Sequence, residues 1–467
     1  PDSCLLTPDS FPLMLESLKR IFGYGAAKSS LTRQPVVTNM MSTDRELNSH
    51  DRKTVIARSR KLAHDSALVN WALNQHTTYN SRFTFQSQTG IRELDERIEH
   101  LVHAWSKPGN FEVTGRHSLQ ESIRLIEIAR TIDGDVGIMK LADGRVQVLE
   151  SDRIRTPNDI DSSTEWTHGV KTDTAGAAIE YAVHSRGRYG TYKFDRAVPA
   201  ANLILHGYYS RFDQIRGVGL LVSAAESFQD IQESFDYALG KAKLLQLFGL
   251  KFTRDANADP IPVSMQGEAN KAKEARRMEL RDKASYMVEL EPGENMEAIS
   301  DTQPSSQFQD YTKLMMMVAL KSLGICYSMF DEKHTNFYGS RGAINQYIEL
   351  CKPRRASNQH LLEHLTRWRL AKEILDGRLV LPDGMTVSDL WFEWTPSGIP
   401  WWKPDEEAKG YLTAILAGLD SHSNICRSMG RDFKDIIDER KRDEEYAKAN
   451  GITLATSTPN LNTNIGT

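Results

Sequence analysis

Two long helical periodicities bracket one small module of different character, and this arrangement limits the folds open to the chain. In "SAAESFQDIQESFDYALGKAKLLQLFG" (residues 223–249), Phe228, Ile231, Phe235, Leu239, Ala242 and Leu245 recur at helical spacing. Glu226, Asp230, Glu233 and Tyr237 fall on another side. Lys241 and Lys243 sit where cations suit the helix dipole, and Gly249 ends the pattern. The second periodicity covers residues 307–324 and is apolar nearly all round from Leu314 to Leu320, which predicts burial on most sides. Its polar exceptions Asp310, Lys313 and Lys321 share one face with Met317. Between the two lie residues 250–306: a Pro-bounded loop, a charged helix around 270–283, then a short strand in "SYMVELEPGE". The pattern is that of a small module carried on two struts.

Upstream, the first fifty residues are rich in Ser, Thr, Asn and Pro and read as an arm ordered only by a neighbour. Helices are expected over 51–77, 91–105 and 119–129. The period then changes. "DGDVGIMKLADGRVQVLESDRI" holds two alternating runs joined at Ala142-Asp143-Gly144, a hairpin signal. "AAIEYAVHS" and "ANLILHGYY" add two strands. Downstream of the second strut, "TNFYGSRGAINQYIEL" places a small, flexible junction around Arg341. A long helix follows from about residue 340 to 376, with Pro353 expected to kink it. An aromatic loop, "WFEWTPSGIPWW", precedes a helical pair near 405–449, and residues 451–467 read as a disordered tail. The fold class is α+β, mostly helical.

The net charge of -4 argues against one uniformly basic nucleic-acid surface. Cys4, Cys326, Cys351 and Cys426 stand far apart, as in neither a disulfide framework nor a zinc knuckle, and suit a reducing compartment. No run reaches the roughly 18 apolar residues of a membrane span, and the N-terminus has no signal-peptide pattern. Neither a membrane span nor export by that route is expected. "GYGAAKSS" imitates a phosphate loop, but Ala27 stands where the motif needs Gly. "HLLEH" matches the inverted zincin spacing with His360, Glu363 and His364, yet sits among Arg354, Arg355, Arg367 and Arg369, which disfavour a dication. G-x-S-x-G is absent, and "DERKRDEE" reads as a solvated helix face. No catalytic residue, metal or cofactor is assigned. The four arginines suit either a surface facing DNA or an acidic neighbour, or an amphipathic helix pairing with local acids. Trp391, Trp394, Trp401 and Trp402 read as a small core under a loop.

Seven stretches in order resemble the portal proteins of lambda-like tailed bacteriophages. They are "YGAAKSSLTR", "RSRKLAHDSALVNWAL", "RTIDGDVGIMKLADGRVQVLESDRI", "RFDQIRGVGLLVSAAESFQDI", "VELEPGENMEAISDTQPSSQFQDY", "NFYGSRGAI" and "KPDEEAKGYLTAILAGLDSHSNICRSMGRDFKDI". Gly339 and Gly342 replace the family's usual Ser and Ala, and Trp401 and Trp402 are not typical of its loop. The resemblance implies a portal fold: arm 1–50, wing 51–222, first stem helix 223–249, clip 250–306, second stem helix 307–324, channel loop 325–340, kinked wing helix and loop 341–399, crown 400–450 and tail 451–467. It implies a homo-oligomeric ring, typically of twelve subunits, at one capsid vertex of the virion, assembled in the host cytoplasm. Double-stranded DNA would pass through the channel. The major capsid protein, the large terminase subunit and head-completion or adaptor proteins would be its partners.

On that frame, Asp331, Glu332, Lys333, His334, Arg341, Lys313 and Lys321 are expected at the channel. Lys273, Arg276, Arg277 and Arg281 are expected to dock terminase or adaptor. An acidic strut face suits a wall that must pass a polyanion without holding it, since each fixed phosphate contact adds affinity. Two other readings stay open: a different head–tail adaptor ring, and a capsid-associated zinc protease on His360, Glu363 and His364.

Overall fold

The structure, a computed structural model, describes residues 41–157, 166–247, 250–254, 294–298, 306–331, 337–398, 404–452 and 454. A short helix α1 (Thr43–Glu46) leads into α2 (Ser49–Asp65) and α3 (Ala67–Asn80). The single helix expected over 51–77 is therefore two. Ser66 adopts an extended backbone (φ -98°, ψ 117°), and its hydroxyl accepts the Val69 N–H at 3.5 Å, capping α3. Strand β1 (Phe83–Ser87) precedes α4 (Arg92–Trp105) and α5 (Leu119–Asp133), the last started by a capping box of Ser118 and Glu121.

The expected hairpin forms as β2 (Asp135–Lys140) and β3 (Val146–Glu150), with Ile138 opposite Val148. Gly144 takes the left-handed conformation (φ 86°) that the turn needs, and its carbonyl accepts from Trp105 Nε1 and Arg369 Nη1. Two short strands, β4 (Trp166–Thr167) and β5 (Val170–Thr172), join β6 (Ala178–Arg186) and β7 (Tyr192–Pro199) in an antiparallel sheet of order β4-β5-β6-β7. Strand β8 (Leu203–Gly207) pairs with β2, giving a three-stranded sheet of order β3-β2-β8.

The struts are α6 (Ala225–Leu247) and α7 (Ser306–Lys321). Between them β9 (Leu250–Arg254) pairs antiparallel with β10 (Glu294–Ala298). The helix expected around 270–283 and most of "SYMVELEPGE" lie outside the described residues. Helix α8 (Phe337–Leu375) runs continuously through Pro353. Strand β11 (Phe392–Pro396) returns to pair antiparallel with β1, Phe83 opposite Pro396 and Ser87 opposite Phe392. Helices α9 (Pro404–Leu416), α10 (His422–Ser428) and α11 (Phe433–Ala449) complete the chain.

Three apolar cores hold these parts together. Ile98, Val102, Trp105, Ile123, Ile138 and Leu365 centre one between α4, α5, the three-stranded sheet and α8. Met139, Leu149, Tyr181, Val183 and Val198 fill another between the two larger sheets. The third roots the struts: Phe228 and Ile231 of α6 meet Met316, Ala319 and Leu320 of α7, with Val69 and Leu73 of α3 and Tyr347 and Cys351 of α8. Burying each Val, Leu, Ile, Phe or Met side chain among these stabilises by roughly 1.5–3 kcal/mol. The start of α6 and the end of α7 share this core, so the two helices run in opposite directions.

The tryptophans do not form one cluster. Trp394, on β11, is buried in the first core with its Nε1 on Thr366 Oγ1 at 3.0 Å, whereas Trp391 is 69% exposed. The period-2 alternation of the strand sends the two to different environments. Trp401 and Trp402 lie outside the described residues.

Candidate channel and interface site

The first strut presents the expected acidic face. Glu226, Asp230, Glu233 and Tyr237 are exposed, while Phe228 and Ile231 are buried. Farther along the same apolar side, Phe235 and Leu239 are exposed again. The second strut departs from expectation. Thr312, Met316, Ala319 and Leu320 are buried, but Tyr311 (56%), Leu314 (54%) and Val318 (57%) are exposed. A helix apolar all round has one face covered within the protomer and one left open. Asp310 and Lys321 are exposed, and Lys313 is half-buried at the rim of a cleft of ≈ 500 Å³ between the struts.

The segment after α7 is less free than a projecting loop. Gly324 turns the chain at φ 78°, Ile325 is buried in the third core, and Cys326 is buried beside it in sequence. Residues Tyr327–Met329 form a 3-10 turn, and Phe330 packs edge-on against Trp71 with centroids 5.4 Å apart. Asp331 is half-buried, and its N–H reaches the Tyr327 carbonyl at 3.0 Å. Glu332, Lys333 and His334 lie outside the described residues. The glycine-bearing junction is helical, because α8 already begins at Phe337. Ser340 and Tyr347, both buried, seat that first stretch, so tertiary packing overrides the glycine penalty of about 1 kcal/mol each. Arg341 is partly exposed, with Nη2 3.7 Å from Glu407 Oε1 of α9.

The basic run on α8 is used within the chain. Arg354 donates to the Leu323 carbonyl at 2.9 Å. Arg355 donates to the Ser397 carbonyl and lies 4.4 Å over the Tyr79 ring. Arg367 donates to the Val387 carbonyl and covers Phe392, and Arg369 donates to the Gly144 carbonyl and pairs with Glu373. Neither a DNA-facing surface nor simple local acid pairing describes them: carbonyls and aromatic rings take most of the donors.

Two buried polar clusters join α2, α5, the three-stranded sheet, the turn before α6 and α8. Asp135, fully buried, accepts from Arg52 Nη2 (3.0 Å), Arg216 Nε (2.8 Å) and Nη2 (2.7 Å), Ser151 Oγ (2.6 Å) and the Gly217 N–H (2.8 Å). Burial opposes its charge, yet Arg216 and Arg52 hold the carboxyl well below the usual carboxylate range. Burial, with Arg216 alongside, lowers Arg52 to about 10. In the second cluster Glu127 of α5 accepts from Arg130 Nη2 (2.7 Å), Asn358 Nδ2 (3.0 Å) and the Tyr208 hydroxyl. Burial works against this carboxylate too, but Arg130 and His76 keep it at about 2. His206, between Arg130 Nη1 (2.7 Å) and Asn358 Oδ1 (2.9 Å), is pushed down to about 3 by burial and then by Arg130. These residues were not singled out from the sequence. Arg130, Asp135 and Ser151 lie in the quoted hairpin stretch and Arg216 in the "IRGVG" turn, but no local pattern marks their pairing.

The zincin-like residues are not arranged for a metal. His360 Nδ1 faces Glu363 at 3.5 Å, and His364 Nε2 lies 3.3 Å from the Lys140 ammonium, a cation where a dication would have to sit. Among the described residues, Asp133, Glu150 and Asp152 do converge. The Arg60 guanidinium already occupies their centre, 3.2 Å from Glu150 and 2.9 Å from Asp152, with Asp133 also paired to it.

Comparison with known proteins agrees with this architecture. The family model for phage portal proteins of the lambda family matches residues 33–355. A probable portal protein of Halomonas phage phiHAP-1 is 25% identical over 374 residues, covering 76% of this chain and 71% of that protein. Among solved structures, a chain from the neck of an empty gene transfer agent (GTA) particle, computed with C6 symmetry, superposes with a TM-score of 0.50 at 12% identity. It covers 81% of this chain and 94% of that one. A chain from the neck of the native particle, computed with C12 symmetry, gives a TM-score of 0.48 at 12% identity, over 82% and 94% of the two chains. The chain thus belongs to the lambda family of phage portal proteins, structural components of the virion.

Proposed function

We propose that this portal protein closes into a ring, typically of twelve copies, at one capsid vertex, and that double-stranded DNA enters and leaves through its centre. The carrying observation is the open apolar face of α7. Tyr311, Leu314 and Val318 are more than half exposed on a helix whose other side buries Thr312, Met316, Ala319 and Leu320. Covering them by a neighbouring copy takes apolar surface out of water at every interface. The GTA neck with C6 symmetry is compatible with a twelve-membered ring. The acidic face of α6, with Glu226, Asp230 and Glu233, is multiplied around the ring and gives DNA a wall with few phosphate contacts.

In this reading Asp331, Glu332, Lys333 and His334 border the channel, with Lys313, Lys321 and Arg341 supplying scattered cations. The module between the struts, through Lys273, Arg276, Arg277 and Arg281, receives the large terminase subunit and later the head-completion or adaptor proteins. The major capsid protein surrounds the wing, and assembly takes place in the host cytoplasm. The ring contributes no catalytic step; the terminase supplies the work. Charge reversal at Arg276 and Arg277 tests the docking role: rings should assemble normally while packaging in infected cells fails. Wild-type packaging by that variant removes it.

A further inference from the structure

The second strut carries apolar side chains on two nearly opposite faces, and the protomer covers one of them. Phe308, Gln309, Thr312, Lys313 and Met316 line the cleft against α6. At about 100° per residue, Tyr311, Leu314 and Val318 lie roughly 160° round the helix from the centre of that set. Asp310, Met317 and Lys321 fall between the two faces and are exposed. On the α6 side the cleft is walled by Phe235 and Leu239, with the small side chains of Ala238 and Ala242 leaving room beside them. One strut pair therefore carries both a projecting apolar stripe and a receiving apolar cleft, pointing in different directions.

We propose that the Tyr311–Leu314–Val318 stripe of one copy seats in the α6–α7 cleft of the next. The inference rests on the ring reading and specifies its contact. A stripe packed on a second stripe would be a two-fold contact: it closes at a dimer and leaves the cleft empty. Stripe into cleft is a head-to-tail contact, the kind that generates rings. The ≈ 500 Å³ cleft matches the size of a few large side chains. Its rim carries Lys313, and Asp310 stands beside the stripe, so Asp310 of one copy meets Lys313 of the next and sets the register. The face holding Met317 and Lys321, between the two apolar faces and beyond Asp310, is the one left to solvent in the ring.

The test uses the full chain with Cys4→Ser and Cys426→Ser, assembled and treated with a short bismaleimide. The pair Leu239→Cys with Leu314→Cys should give a ladder of covalent multimers on denaturing gels, while each single variant stays at the monomer position. The pair Ala242→Cys with Val318→Cys serves as a second probe of the same contact. Asp310→Lys should lower ring yield at least tenfold, and adding Lys313→Asp should restore it. A dimer from Leu314→Cys alone overturns the proposal by showing stripe against stripe. Rings of the cysteine pairs that do not cross-link also overturn it, as does failure of both pairs to assemble together with no charge-swap rescue. Failure of the Cys4→Ser, Cys426→Ser chain itself to form rings would instead count against the ring reading.

Discussion

Arg354 Nη1 on α8 lies 2.9 Å from the carbonyl of Leu323, where the second strut gives way to its terminal turn. The next residue, Gly324, has φ 78°, and a Cβ there would stand 1.7 Å from Leu350 Cδ2. The end of α7 and the middle of α8 are thus clamped at one point. The same guanidinium reaches His76 Nδ1 at 3.3 Å, and His76 touches Glu127. Any motion of the strut against the wing must break or carry this contact.

Removing the clamp should therefore weaken the joint more than the surface. Arg354→Ala is expected to destabilise the chain by about 1.5–3 kcal/mol, the range for hydrogen bonds from charged donors. Chemical denaturation measures the loss, and hydrogen exchange at residues 319–323 should speed up while that at 136–140 stays unchanged.

Asp135 faces two guanidiniums with one carboxylate. Asp135→Asn removes the charge that both Arg52 and Arg216 need, leaving them buried and uncompensated, and should cost about 3–5 kcal/mol. Glu226→Gln, on the exposed strut face, should stay within about 0.5 kcal/mol in the same denaturation series.

Acid should loosen the packing of α5, the three-stranded sheet and α8 in two stages. His206 has its folded value at about 3 against 6.5 in the open chain, so the unfolded state binds more protons between those limits. Stability then falls as pH drops below 6.5, by about 1.4 kcal/mol per unit for this one histidine. Glu127, held at about 2 against 4.5, adds a second loss as pH falls from 4.5 toward 2. His206→Gln should flatten the first slope, and denaturation midpoints from pH 7 to 5 would show it; an unchanged slope assigns the acid sensitivity elsewhere.

What the amino-acid order reveals is mostly local. Ala142-Asp143-Gly144 announces its hairpin through turn chemistry, and both struts lie within three residues of their expected ends. The β1–β11 pair joins Phe83 to Pro396, a contact no short window contains. Strand β7 escaped reading because its side chains Lys193, Asp195 and Arg196 are exposed on a sheet edge, where alternation is weak. The α8 arginines were ambiguous because a carbonyl or ring partner leaves no mark in sequence. The apolar run from Leu314 to Leu320 is legible as apolar; that Leu314 and Val318 stay exposed in the protomer is not, since periodicity does not tell a protomer from an assembly.

If Lys333 and His334 border the channel, replacing both with alanine should leave ring assembly intact and alter DNA retention or packaged length. Full-length DNA packaged and retained at wild-type levels would remove those two residues from the channel.

Ring formation is the central claim, and electron microscopy of the purified chain tests it most directly. Class averages viewed down the particle axis should show a closed ring with an open centre. A homogeneous 52.8 kDa monomer that persists on concentration would contradict the account.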